Sequence, residues 1–343
     1  MLALATISFC ALPVWGNPGN APSSDSQSKD EDRLIVAEYR EVRRTTRPDD
    51  DPISSSNAIV NVIQAGDSSR SAAEKCIAAL PLQRMKVEHR RAAEAILNEY
   101  SLFRQMPTLE LAVHHETYRF FASHPDVAVS IWRAMEISKF QMWQTGPTEY
   151  EADTGDGSVG AIEVLWHDPS EIVILCRGVY GSPLLIKPIA AKALIHLHTE
   201  YAQDDDGTPK IVHKASLFAT FPSNAVETAA KLISPISNMV IDRNFREISV
   251  FLHMMWLAMS RQPGWVEHMA GQLDGVLEIR KEQLLTCTAK VFVAERRRKE
   301  QGPLQVRAQS PGQSRETKAN AADPSKPSLS RTTPPAAPPV MMK

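Results

Sequence analysis

The residue types best suited to chemistry sit in His196-Leu197-His198, with Glu200 two residues on and His213 in the next apolar run. On a strand, a His-x-His pair points both imidazoles to one face, and a histidine from a neighbouring strand would complete a zinc site. Register decides the matter. Ile195, Leu197 and Thr199 read as core-facing, as do Leu217, Ala219 and Phe221. Matching those faces puts His213 inside, and His196 with His198 outside beside Lys214. The three histidines then lie on opposite faces, and no metal is expected. His213 remains as a lining residue, and as an acid–base group if it faces an accessible cavity beside a second polar residue.

Other groups carry less. Asp242 and Arg246 stand four apart in an apolar helical segment and are expected to pair on its surface. Asp204-Asp205-Asp206-Gly207 reads as a solvated turn with too few ligands for calcium. His114-His115 falls in a helical pattern, where adjacent side chains diverge by about 100°, so the pair reads as surface polarity. No Gly-rich phosphate loop opens a helix, and no Gly-x-Ser-x-Gly elbow is present. The four cysteines, Cys10, Cys76, Cys176 and Cys287, have neither disulfide nor zinc spacing. No catalytic residue and no cofactor is expected.

The elements that must position these residues occupy the middle of the chain. Of 343 residues, 43% are hydrophobic and 23% charged, with a net charge of −2, so nothing global points to nucleic acid. Met1–Trp15 is apolar and is followed by small residues at Gly19 and Ala21, which resembles a secretory signal peptide over 1–21. The chain is then exported; if its start is assigned wrongly, it is cytoplasmic. Residues 22–70 read as a disordered linker interrupted by a β-like run at Ala58–Ile63. Helices fill 71–108, from a capping start at Ser71 with Glu74, through Met85–Phe103. Helical spacing continues over Leu109–Phe121 and Asp126–Met135.

Strands come next. Glu149–Thr154 alternates into the turn Gly155-Asp156-Gly157. Ile162, Val164 and Trp166 form one apolar face, and Ile172, Ile174, Cys176 and Tyr180 another. Joining those faces places Trp166 opposite Ile172. Ser182–Ala193, with two prolines, reads as an edge or connection. Leu194–Tyr201 and Lys210–Phe221 are the next strands. The apolar segment Ala225–Met259 is helical, and Pro235 either kinks it or sits at the first position of a helix capped by Ser234. Helices over 261–300 precede a Pro- and Ser-rich tail, 301–343, expected to be disordered. From Arg296 onward ten Lys or Arg face three Asp or Glu, about +7, enough for weak contact with an anionic surface.

Helices, an antiparallel sheet of about five recognisable strands, then a long closing helix: over Leu109–Met259 this order resembles the START-like, or SRPBCC, helix-grip superfamily. The resemblance implies an α+β domain over 109–260, its antiparallel sheet wrapped around a long C-terminal helix, with extra helices before and after. It implies a hydrophobic or lipid-like ligand held between sheet and helix, with Trp166, Tyr180, Leu197, His213, Phe251 and Met255 facing it. Two other readings stay open: an enzyme of the same fold, cyclase-like, with His213 as acid–base; and a non-catalytic scaffold acting through its basic tail. Sequence-specific nucleic-acid binding is not expected.

Overall fold

The computed structural model describes residues 59–155, 157–180, 189–221 and 234–308. The expected leader, most of the linker, the residues before Ser234 expected to be helical and the tail beyond Ala308 lie outside these. The described residues up to Gly302 belong to one compact unit.

The architecture is α+β, with a long helix packed on one face of a large antiparallel sheet. Nine strands are present among the described residues: β1 (Val60–Gln64), β2 (Leu102–Gln105), β3 (Thr108–Ala112), β4 (Gln141–Gln144), β5 (Glu149–Asp153), β6 (Ser158–His167), β7 (Glu171–Tyr180), β8 (Ile189–Gln203) and β9 (Pro209–Thr220). The order is β1-β3-β9-β8-β7-β6-β5-β4, with β2 also pairing β9. The helices are α1 (Arg70–Ala78), α2 (Val87–Glu99), α3 (His115–Ser123), α4 (Pro125–Ala134), α5 (Ser234–Arg261), α6 (Pro263–Gln272) and α7 (Glu278–Ala308).

Several expectations are corrected. The β-like run expected at Ala58–Ile63 is met from Val60 onward by the edge strand β1, paired with β3, so it is the linker reading that fails there; Ala58 lies outside the described residues. The helix expected over Leu109–Phe121 is β3 followed by α3. Leu109 and Leu111 alternate inward, and His114, buried, caps α3 by accepting the Glu116 N–H at 3.2 Å. His114 is therefore not surface polarity, whereas His115 is exposed as expected. The end of the expected Met85–Phe103 helix is β2, and α1 is capped by Ser69 rather than Ser71. Residues 189–193 open β8, an interior strand bonded to both β7 and β9; residues 181–188 lie outside the described part. The described α5 begins at Ser234, with Pro235 in its first turn, where no N–H is needed.

Both faces of the sheet are buried over the middle of its central strands, each by a different set of helices. On one face Ile162, Ile172, Ile195, Leu197, Ile211 and Leu217 join Phe245, Phe251 and Met255 of α5 in one core. On the other, Leu165, Val173, Leu175, Leu194 and Phe218 meet Ala72 and Ala73 of α1 and Ala93, Ile96 and Leu97 of α2. Central strands with two buried faces read as near-continuous apolar runs, as in Ile172–Cys176 and Ala193–Leu197. The helix α7 is tied in by Arg280, buried against Asp126 of α4, with its Nη2 donating to the Tyr150 hydroxyl at 3.2 Å.

Candidate functional site

A buried polar constellation on the α5 face surrounds His213. Its partners come from three other elements: Tyr118 of α3, Thr199 opposite it on β8, and Ser249 of α5. Proton counting fixes the direction of the network. Ser249 Oγ donates its one proton to the Phe245 carbonyl at 2.8 Å. It must therefore accept from His213 Nε2–H at 2.9 Å. Nδ1 is then an acceptor and takes the Tyr118 O–H at 3.3 Å, while Thr199 Oγ1 donates to Tyr118 at 2.7 Å. The imidazole is neutral, and it stacks on Phe245 with ring centroids 4.6 Å apart. Burial alone pushes its pKa down to about 3.

That arrangement removes His213 from acid–base chemistry among the described residues. Its exposure is 2%, and both ring nitrogens are committed. The cyclase-like expectation required the opposite. Leu197, Phe251 and Met255 join His213 in the same core, where Phe251 meets Phe121 and Trp132 edge-on at 5.5 and 5.3 Å. These four expected lining residues do come together, but as packing.

Trp166 is placed elsewhere. A bulge at Leu165 puts two residues of β6 against one of β7, so Val164 pairs with Ile174 and Trp166 with Val173. Trp166 thereby turns to the opposite face, packs against the second core and lies under the Arg84 guanidinium at 4.7 Å. His167, not Trp166, stands opposite Ile172. Tyr180 ends β7 opposite Ser158 and Ile189; its side chain lies outside the described part.

His196 and His198 do lie on the face opposite His213. They flank one oxygen of Glu171 at 3.5 and 3.7 Å, and Arg84 reaches the other at 3.2 Å. Among the described residues no group of three acidic, histidine or cysteine side chains could hold a metal ion. Asp242 does not pair with Arg246. It pairs with Arg104 of β2, whose Nε lies 3.0 Å away, and so pins α5 to the sheet.

One feature of the α5 face is not among the expectations drawn from sequence. Towards the end where β7 finishes and β8 starts, side chains become small. Ala152, Gly160, Gly178 and Ala191 are successive cross-strand neighbours over β5 to β8. Cys176, Ala193 and Ala219 form the adjoining row over β7 to β9, which buried Ile162 and Tyr150 continue over β6 and β5. Further along the same strands the matching rows are Ile174–Ile195–Leu217 and Ile172–Leu197–Ala215. The signal is the alternation itself, since Gly160, Gly178 and Ala191 sit at the inward parity of their strands. Burial raises the Cys176 thiol to about 12, so it is an inert apolar group here.

No family model matches the chain, and no curated protein matches it. Among solved structures, a conserved protein from Geobacillus kaustophilus is 15% identical with a TM-score of 0.32, over 42% of this chain and 91% of that one. Ara h 8.0201 is 12% identical with a TM-score of 0.23, over 42% of this chain and 97% of its own. Likenesses of this size decide nothing about what the chain binds.

Proposed function

We propose that the chain is a non-catalytic binding protein of START-like, helix-grip type, holding an apolar small molecule or lipid over the small-residue end of the α5 face. The observation that supports this is the gradient along that face. Ile174, Ile195 and Leu217 fill one end against α5, whereas no inward side chain in the two rows from Ala152 to Ala191 and from Cys176 to Ala219 exceeds cysteine. Apolar walls with few polar groups suit such a ligand.

Native mass spectrometry of the full chain, before and after organic extraction, tests the reading together with Ala193→Phe. A ligand-filled space accepts the new ring: the variant keeps its stability and loses the co-purifying species. A patch closed by protein does not accept it. The variant would then lose about 1–3 kcal/mol through overpacking, the wild type would carry no extractable mass, and the proposal would fail.

A further inference from the structure

The sheet face turned away from α5 is covered by α1 and α2 over β2, β6, β8 and β9. Nearer β4 it holds an open groove of about 550 Å³, whose lining takes in the row Ala152, Gly160, Gly178 and Ala191 as well as the outward residues of the same strands. Its floor is made by the outward side chains of five strands. Val159, Val179 and Trp143 are large apolar groups left 51%, 40% and 37% exposed there.

The charges in the groove are segregated. Glu151 stands directly opposite Trp143 on β5 and β4. Two strands beyond β5, Arg177 on β7 stands directly opposite Lys192 on β8. Like charges in that position disfavour strand pairing. Arg177 is offset by Glu163 at 3.0 Å, but among the described residues no ion-pair partner reaches Lys192 or Glu151. The groove thus presents a carboxylate beside an aromatic ring at one wall and an ammonium at the other, with Ala161 and Arg177 in the cross-strand row that joins them and Val159 and Val179 in the neighbouring row.

We propose that this groove binds a short apolar peptide with both termini free. Its ammonium is held by Glu151 against the Trp143 ring, which combines charge pairing with a cation–π contact. Its carboxylate is held by Lys192 with Arg177 beside it, its backbone crosses Ala161, and its side chains on one flank rest on Val159 and Val179 in the neighbouring row. The spans agree. The strands β5 and β8 are three strand spacings apart, about 14 Å, and four extended residues reach about 13–14 Å.

Isothermal titration of the full chain with tetra-alanine, its N-acetylated form and its C-amidated form tests this, alongside Lys192→Glu and Val159→Asp. Both substitutions fall at exposed positions. The expected result is saturable binding of the free peptide, weakened at least tenfold by blocking either end and by either substitution. No saturable binding overturns the proposal, as does binding that the blocked ends and Lys192→Glu leave unchanged. The assay is separable from the apolar-ligand reading. Ala193→Phe should leave tetra-alanine binding intact, and Lys192→Glu should leave any extractable apolar species in place.

Discussion

His213 shows how one residue can look functional and be structural. A histidine with a hydroxyl at each nitrogen is the composition of many acid–base sites, but here the proton order runs one way, from Thr199 through Tyr118 and His213 to Ser249 and the Phe245 carbonyl. A second proton on the ring would meet the Tyr118 O–H head-on in an apolar surround. The consequence is a pH dependence of stability. The folded pKa, about 3, lies below the ordinary value of 6.5. The unfolded state therefore binds the proton first as pH falls. Stability from this group is whole above pH 6.5 and is lost progressively down to pH 3, by up to about 1.4 kcal/mol for each pH unit. His114, His124 and His196 shift in the same direction, also by burial, so the total slope is not a measure of His213 alone. The difference in slope is. Urea unfolding between pH 7.5 and 5 should show His213→Gln falling less steeply than the wild type; equal slopes would mean that the ring is protonated in the fold.

At the scale of elements, buried polar pairs hold the helices in place. Arg280 of α7 is buried against α4, and Asp126 faces it with no other cation bonded among the described residues. Removing one partner leaves the other uncompensated. Arg280→Met should cost about 3–5 kcal/mol, while Arg280→Met with Asp126→Leu should recover most of that loss. Chemical denaturation of the two singles and the double closes the cycle, and additive losses would show that the pair is not coupled. None of this is legible in the sequence, because Asp126 and Arg280 are 154 residues apart and nothing local marks them as partners. The central strands are legible, since Ile172–Cys176 is a short continuous apolar run rich in β-branched residues and Lys210–Phe221 is a mostly apolar run between turn residues. Two kinds of feature are not. The bulge at Leu165 resets the parity of β6, so strict alternation sends Trp166 to the wrong face. The short strand β3 runs straight into the cap of α3, so Leu109, Val113, Tyr118 and Phe121 mimic one helical stripe. The small-residue rows obey parity, but alanine and glycine carry no apolar bulk to mark a face.

The molecule as a whole is two cores sharing one sheet, which changes what its N-terminal helices are for. Read from sequence, α1 and α2 precede an independent domain; in the fold they cover part of its second face and bury Val173, Leu175, Leu194 and Phe218 of β7, β8 and β9. Such a sheet has no stable state with one face stripped, because Leu165, Val173, Leu194 and Phe218 would be returned to water together. The two cores should therefore unfold as one unit. Adjacent residues of β9 test this, since Leu217 points into the α5 core and Phe218 into the α1–α2 core, both with 0% exposure. Leu217→Ala should cost about 2–5 kcal/mol and Phe218→Ala about 3–5. Each should shift a single transition, seen at the same midpoint by far-ultraviolet circular dichroism and by tryptophan fluorescence. If Phe218→Ala instead split the curve, with one phase moved and the other left where it was, the helices over the second face would be a separable layer. The sheet and α5 would then stand alone, as the pattern of apolar residues implies.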